Sequence, residues 1–436
     1  MPHFSFAIGG KPSPADLAIA LLCGQRHFLV PFATPMERRL RALAMLRDDL
    51  HIVLDSHTTK FIAPTGFSAR PGGNADGQER HAMPTQLSFS FACPGREDHP
   101  TLPAEPDATA PGDLDRYDHI IVGFSGGKDS IAAVLTLLDA GVSRQRIELW
   151  HHEIDGREGS QLMDWPVTPA YCRAFAATFA VPIFFCWKVG GFERELLRDN
   201  AVTAPTTFEN QHHQLVTVGG TSGKPGTRRR FPQISADLKV RWCSAYLKIN
   251  VAARAITNQA RFNGKRTLFI SGERAEESPG RARYATFERH RTDKRDSPRL
   301  RRHVDHWRPV HHLSEADVWA LLKRWRINPH PAYRLGWGRV SCAACIFGSN
   351  HQWASLRAID PARFHQVAAY EQAFGCTIRR NGTIVEAAGT GRPYAALNPE
   401  DAAAALACTF NEPIILPDSD PWTLPAGAFG ESCGPT

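Results

Sequence analysis

The sequence predicts an α/β fold, a doubly wound parallel sheet followed by a mostly helical C-terminal region. Two observations predict it. From residue 119 onward, short apolar strand-like runs alternate with amphipathic helical runs, and this alternation implies right-handed crossovers with helices on both faces of a parallel sheet. In addition, the run Ser125-Gly126-Gly127-Lys128-Asp129-Ser130 stands between an apolar strand and an amphipathic stretch. That is where a strand turns into a helix at the ligand-binding edge of such a sheet.

Residues 1–64 read as a small N-terminal module, with a helical pattern at Met36–Leu50 and a strand-like His51-Ile52-Val53-Leu54. Residues 65–115 are rich in Pro, Gly, Ala and acids, with few apolar anchors besides Leu87-Ser88-Phe89-Ser90-Phe91. The composition predicts a disordered linker, because too little apolar surface is on offer to offset ordering entropy. The core follows over 116–375. A strand at 119–124 leads into a helix over 129–140, and a second strand covers 147–152. Thr168 as cap and Pro169 in the first turn start a helix over 168–179. Further strands fall at 183–187 and 267–272, and residues 376–436 form a C-terminal extension. Ligands in such sheets bind beyond the carboxyl ends of the strands, so the 125–130 turn, Glu153–Asp155 and Glu273-Arg274 should converge on one crevice.

The turn itself is built for an anion. Amides at a helix N-terminus lack intrahelical partners and carry partial positive charge. Gly126 and Gly127 permit close approach and positive φ. Ser125 and Ser130 supply hydroxyls, Lys128 supplies a point charge, and Asp129 is a hard oxygen ligand for Mg²⁺. The spacing is not that of a Walker A loop, since Val122 stands where its first glycine belongs and Asp129 follows Lys128.

Composition limits the alternatives. The chain has 436 residues, enough for roughly two or three domains, and its apolar and charged fractions of 42% and 22% suit a soluble globular protein. No apolar run approaches the roughly 20 residues that span a bilayer, and Met1–Lys11 lacks a secretory pattern, so a cytoplasmic location is expected. The ten cysteines are scattered, unlike a disulfide framework. Net charge is only +7, yet Arg281–Arg308 holds ten Lys or Arg against four acids. That segment is either a solvated loop or a contact for phosphate or nucleic acid. Arg228-Arg229-Arg230 would suit the same partner.

Several segments together resemble the phosphoadenosine phosphosulfate (PAPS) reductase family of PP-loop ATP pyrophosphatases. They are Ser125–Ser130, Arg241-Trp242-Cys243-Ser244-Ala245-Tyr246-Leu247-Lys248-Ile249, and Gly272-Glu273-Arg274-Ala275-Glu276-Glu277-Ser278 with Arg281. Trp307-Arg308-Pro309-Val310, the helix from Ser314 and Arg339-Val340-Ser341-Cys342-Ala343-Ala344-Cys345 complete the set. The resemblance spans about 117–375 and implies an adenine nucleotide alpha-hydrolase-like sheet of the HUP type. The family includes PAPS and adenylylsulfate reductases, ATP sulfurylase subunits and DNA phosphorothioation enzymes, and this chain resembles a phosphorothioation-like or phage or mobile-element-type member of it.

Reductases of that family tend to lose the Gly-Gly-Lys pattern, whereas this chain keeps it. The resemblance therefore implies ATP with Mg²⁺, cleavage to AMP and pyrophosphate, and adenylylation of an acceptor in sulfur transfer or nucleic-acid modification. Lys128, Asp129 and Arg274 would be catalytic. Ser125–Ser130, Arg274 and Arg281 would bind the nucleotide, and a sulfur-donor protein is an implied partner. Phosphorothioation-type relatives carry an iron–sulfur cluster on cysteines at comparable places. Cys243, Cys342 and Cys345 would then ligate a [4Fe–4S] cluster or Zn²⁺, with buried thiols packed as small apolar side chains as the alternative. The tail Glu431-Ser432-Cys433-Gly434 weakly resembles the nucleophile tail of the reductases. A reductase, or a nucleotide-sensing or nucleic-acid-binding component without turnover, is thus the competing reading. The paired histidines at 151–152, 212–213 and 311–312 are expected to be structural or exposed.

Overall fold

A computed structural model describes residues 27–29, 51–53 and 110–431, except 236 and 341. The expected helix at Met36–Leu50, most of the expected 65–115 linker and the Cys433 tail lie outside the described residues. In the N-terminal unit, β1 (His27–Leu29) pairs in parallel with β2 (His51–Val53), which falls on the expected strand.

The main unit is built on an eight-stranded sheet. Its strands are β3 (His119–Gly123), β4 (Ile147–Glu153), β5 (Ile183–Lys188), β6 (Thr206–Glu209), β7 (Leu215–Val218), β8 (Arg266–Ile270), β9 (Phe287–Arg289) and β10 (His303–Trp307). The spatial order is β7-β6-β5-β4-β3-β8-β10-β9. The five central strands are parallel, while β6, β7 and β9 add antiparallel edges. The chain winds outward from β3 through β4 and β5, then returns to β8 on the other flank of β3. This reversal puts the topological switch point between β3 and β8, where a crevice opens beyond the strand ends.

Period-two alternation decides which helix covers which face. Ile120 and Val122 of β3, with Leu149, Leu268 and Ile270, point into a core closed by α1 (Lys128–Asp139), α2 (Thr168–Phe179) and α6 (Glu315–Arg324). Ile121 points the other way, with Trp150, Phe184, Phe269 and Val304, onto Val251, Ala252, Ala255 and Ile256 of α4. That helix runs over 242–257 and contains a π-helical stretch, Ala245–Ile249. Between α2 and α4 comes the short α3 (Gly191–Leu196), and α5 (Pro279–Ala282) is a single turn after β8. The doubly wound arrangement is therefore present.

The C-terminal part is helical, as expected: α7 (Asn350–Ile359), α8 (Pro361–Phe374), α9 (Ile384–Thr390) and α10 (Pro399–Leu406). Ile378, Ile384, Ala388, Ala405 and Ile414 join the core that α1 and α2 close, so residues beyond 375 are packed into the same hydrophobic interior. Among the described residues no helix is long and apolar enough to cross a membrane.

Candidate functional site: a phosphate-type loop and an adjoining thiol cavity

The loop between β3 and α1 sits at the switch point. Phe124 N–H donates to Trp150 O at 2.9 Å, which extends the ladder one residue past β3. The chain then turns at Gly126, whose φ is +76° and whose missing Cβ would lie 3.0 Å from Cys172 Sγ on α2. Both facts make any side chain there strained. The hydroxyls stiffen the turn from inside. Ser130 Oγ donates to Gly127 O at 2.9 Å and accepts from Ser125 N–H at 3.3 Å, and Gly127 N–H donates to Ser125 Oγ at 3.4 Å. His151 braces the loop from β4 through an Nδ1–H donated to Phe124 O at 2.9 Å. Burial pulls its pKa down to about 4, so the neutral ring is the folded form. The expectation of a structural role fits His151.

Charge converges as the strand ends require. Lys128 is buried, with Nζ 3.5 Å from Asp129 Oδ2, 3.4 Å from Glu315 Oε1 and 3.3 Å from Gly338 O. Burial alone would depress its pKa, but Asp129, Tyr333 and Glu315 outweigh burial and hold the ammonium above its usual range. Asp129 Oδ1 accepts from Arg274 Nε at 2.6 Å. Burial opposes ionisation of Asp129, and Lys128 and Arg274 together overcome it, so the carboxylate stays charged. Arg274 also reaches Glu276 at 2.5 Å and Leu313 O at 3.3 Å. The 271–274 turn can lie this close because position 272 is glycine: a Cβ there would come within 2.7 Å of the Asp129 backbone. Lys128, Asp129 and Arg274 thus form one buried ion cluster across the β3–β8 switch point. Arg281 pairs with Glu277, which also accepts from Arg339 at 2.7 Å.

No local pattern pointed to the groups that contact the loop from far along the chain. Tyr333 lies 205 residues from Lys128, yet its hydroxyl accepts the Lys128 backbone N–H at 2.9 Å. Glu315, at the start of α6, has no motif of its own. The other expected neighbours of the crevice are engaged locally: Glu153 with Arg157 at 2.6 Å, and Glu273 with Arg308 at 2.7 Å.

Cys243, Cys342 and Cys345 line one cavity of about 90 Å³ together with Arg241, Lys248, Arg281 and Arg339. The sequence therefore located three thiols that do converge. Their chemistry differs from the expectation. Burial pushes Cys342 well above the ordinary thiol range and Cys243 to about 11, with Cys345 adding to both shifts. Among the described residues, no group of three or more His, Cys, Asp or Glu side chains is arranged to hold a metal ion. The three thiols share a cavity but, among the described residues, are not gathered into the ligand set that a [4Fe–4S] cluster or Zn²⁺ needs. Close by, Asp155 Oδ2 accepts from the Met163 and Asp164 amides at 2.8 Å each. Burial, reinforced by Asp155, raises Asp164 to about 7. Ala344 N–H donates to Met163 O at 3.3 Å, which ties this acidic turn to the Cys-Ala-Ala-Cys loop.

Comparison with known proteins agrees with this geometry. Residues 223–347 match the phosphoadenosine phosphosulfate reductase domain. The matched segment contains the three thiols, Lys248, Arg274 and Arg281, and begins after the 125–130 loop. A protein of Escherichia phage 186, described as an uncharacterized 37.8 kDa protein in the gpa 5′ region, is 28% identical over 278 residues. That alignment covers 61% of this chain and 78% of the phage protein. With a doubly wound sheet and a Gly-Gly-Lys loop at its switch point beside it, the match makes residues 223–347 a phosphoadenosine phosphosulfate reductase domain, of a PP-loop family with HUP-type fold.

Proposed function

We propose that the chain binds ATP with Mg²⁺ at Ser125–Ser130 and cleaves it to AMP and pyrophosphate, adenylylating an acceptor in sulfur transfer or nucleic-acid modification. The observation that carries this reading is the complete Ser-Gly-Gly-Lys-Asp-Ser loop at the β3–β8 switch point, with Lys128 and Arg274 converging on it. The cations Lys128 and Arg274 would offset charge that develops on the leaving pyrophosphate, and Asp129 is the loop's carboxylate for Mg²⁺. Catalysis of this kind is positioning and charge neutralisation rather than covalent chemistry. Arg281 and the cationic cavity wall would receive an anionic part of the acceptor or sulfur source. Incubation of the protein with ATP and Mg²⁺, followed by chromatography, should yield AMP and pyrophosphate. ADP, or no turnover with each acceptor class tested, would refute cleavage between the α and β phosphates.

A reductase reading has one specific observation in its favour. Gly338, whose carbonyl accepts from Lys128, is approached by the C-terminal stretch, since a Cβ on it would lie 3.2 Å from Glu431 O. The sequence continues from there to Cys433. Loss of PAPS or adenylylsulfate reduction on Cys433→Ser, without AMP formation from ATP, would favour that reading.

A further inference from the structure

The basic stretch from Arg281 to Arg308 forms one edge of the sheet, because β9 is the last strand in the order and pairs antiparallel with β10. Its ten cations divide into two sets. Arg281 is bound by Glu277, Arg289 by Asp296, Arg295 by Asp293 and Asp305, and Arg308 by Glu273 and Glu288, while Arg302 donates to Thr292 O and Asn263. These contacts engage every acid of the stretch. The others, Arg283, Arg291, Lys294, Arg299 and Arg301, are exposed, and among the described residues none of them pairs with a carboxylate. A solvated face ordinarily intersperses the two signs. This one presents a single sign.

The unpaired cations stand on a fixed frame. β9 starts at the crevice end of β10, at the Trp307–Phe287 pair, and the chain returns at the Lys294–Arg302 bridge beside the start of β10. Asp305 is held by Tyr117 and Arg295, and Asp293 Oδ1 accepts the Val304 amide at 2.8 Å, which pins the loop between them. Arg283 lies toward the crevice and the other four toward the far end, so the cations follow the length of β10, about 17 Å at 3.3 Å per residue. At the crevice end stands an aromatic ring. Tyr284 is 37% exposed, with Arg308 Cζ 5.1 Å from its ring centroid. Its N–H donates to Arg281 O at 3.0 Å, and Arg281 lines the thiol cavity. Unpaired cations beside an exposed ring suit a single strand: the cations take phosphates whatever the sequence, and the ring takes the face of an unstacked base. A duplex keeps its base faces inside the stack and could use the cations alone.

We infer that the β9–β10 edge is a docking surface for single-stranded nucleic acid, with Arg283, Arg291, Lys294, Arg299 and Arg301 on its phosphates and Tyr284 against one base. The strand is thereby led toward the crevice as the acceptor, a role that rests on the nucleotide reading of the 125–130 loop. Docking itself needs no ATP.

The test is fluorescence anisotropy of a labelled, mixed-sequence single strand, as DNA and as RNA, titrated with the full chain between about 50 and 200 mM salt. Binding of either strand is expected, with log K falling against log salt at a slope of about −3.5, which is −0.7 for each of five phosphates. Arg291→Glu combined with Arg299→Glu should weaken binding at least about tenfold and make the slope shallower by about 1.4. Lys239→Glu combined with Arg380→Glu, the same charge change at exposed sites outside the stretch, should leave it unchanged. Tyr284→Ala should cost at least about fivefold, the lower end of base stacking, and Tyr284→Phe should restore the affinity. Equal losses in the two charge-reversed proteins reduce the effect to net charge and overturn the surface. A duplex that competes as well as the single strand, with no loss in Tyr284→Ala, overturns the single-strand assignment and leaves a generic polyanion patch. No binding of either strand at the lowest salt overturns it outright. Calorimetry with Mg·ATP on the same proteins separates the two readings: docking without ATP binding removes the loop reading and the acceptor role, and ATP binding without docking removes the surface alone.

Discussion

Lys128→Ala, Asp129→Ala and the double replacement form a thermodynamic cycle that tests the buried ion cluster and the nucleotide site at once. Removing one member of a buried ion pair costs about 3–5 kcal/mol when the survivor is left uncompensated. Here each survivor keeps a second partner. Without Asp129, Lys128 retains Glu315 at 3.4 Å, and Arg274 retains Glu276 at 2.5 Å. Without Lys128, Asp129 retains Arg274 at 2.6 Å. Each single replacement should therefore cost somewhat less, about 2–3 kcal/mol. The double variant removes one charge of each sign and should fall short of the sum by about 1–2 kcal/mol, as contacting residues do. Urea unfolding of the four proteins gives these differences directly. The same series with Mg·ATP at 100 times its Kd should stabilise the wild type by about 2.7 kcal/mol and the double variant not at all. Additivity within about 0.5 kcal/mol would refute the ion cluster. A double variant that keeps its ATP-linked stabilisation would refute the site.

Other consequences are simpler. Gly126→Ala places a methyl 3.0 Å from Cys172 Sγ at φ +76°, so it should lower stability by more than about 1 kcal/mol and weaken ATP binding, measured by urea unfolding and calorimetry. For Asp164 the folded pKa of about 7 stands above its unfolded value near 3.8, so the folded state binds the extra proton between those limits. Its contribution to stability is present in acid and is lost as pH rises through about 7. Asp164→Asn should flatten the stability profile between about pH 4 and 7, and an unchanged slope would place the proton elsewhere. His151 works in the opposite sense: folded near 4 and unfolded near 6.5, it costs stability as pH falls through that window. His151→Gln should reduce acid sensitivity there, read by thermal melts at stepped pH. Iron and zinc analysis of anaerobically purified protein should find neither at one equivalent per chain, because the described residues gather no metal-ligand set around the three thiols; a stoichiometric metal lost on Cys342→Ser would show that a further ligand completes the set.

Much of the sheet could be read from local pattern. The strands expected at 119–124, 147–152, 183–187 and 267–272 are four of the five parallel central strands and carry apolar runs, broken in β4 by Glu148, His151 and His152. The edge strands escaped notice for the same reason in reverse. β7 exposes Leu215 and β9 is a three-residue strand inside the basic 281–308 segment, so neither carries a burial pattern. Even β10, His303–Trp307, is masked by its two histidines and Asp305, whose carboxylate is buried against Tyr117 and Arg295. A polar residue satisfied inside the fold cannot be told from a surface one by hydropathy.

The site divides along the same line, between what a residue type can do and what its neighbours allow. Loop chemistry was visible because glycines, hydroxyls and a lysine act through the backbone next to them. The state of those groups was not, because it is set by residues far along the chain. Tyr333 blocks the helix amide that a phosphate would use, and Glu315 and Gly338 occupy the lysine. In the cavity, the family resemblance implied that Cys342 and Cys345 would meet Cys243, yet it is burial that sets the state of Cys342 and Cys243, raising both thiols against the opposing pull of Lys248. Ionisation depends on the surroundings of a group as much as on its type, and those surroundings are assembled only by the fold. The loop lysine is held by the charged carboxylates of Asp129 and Glu315 as well as by the neutral Gly338 carbonyl, and neither Glu315 nor Gly338 could be named from the loop alone.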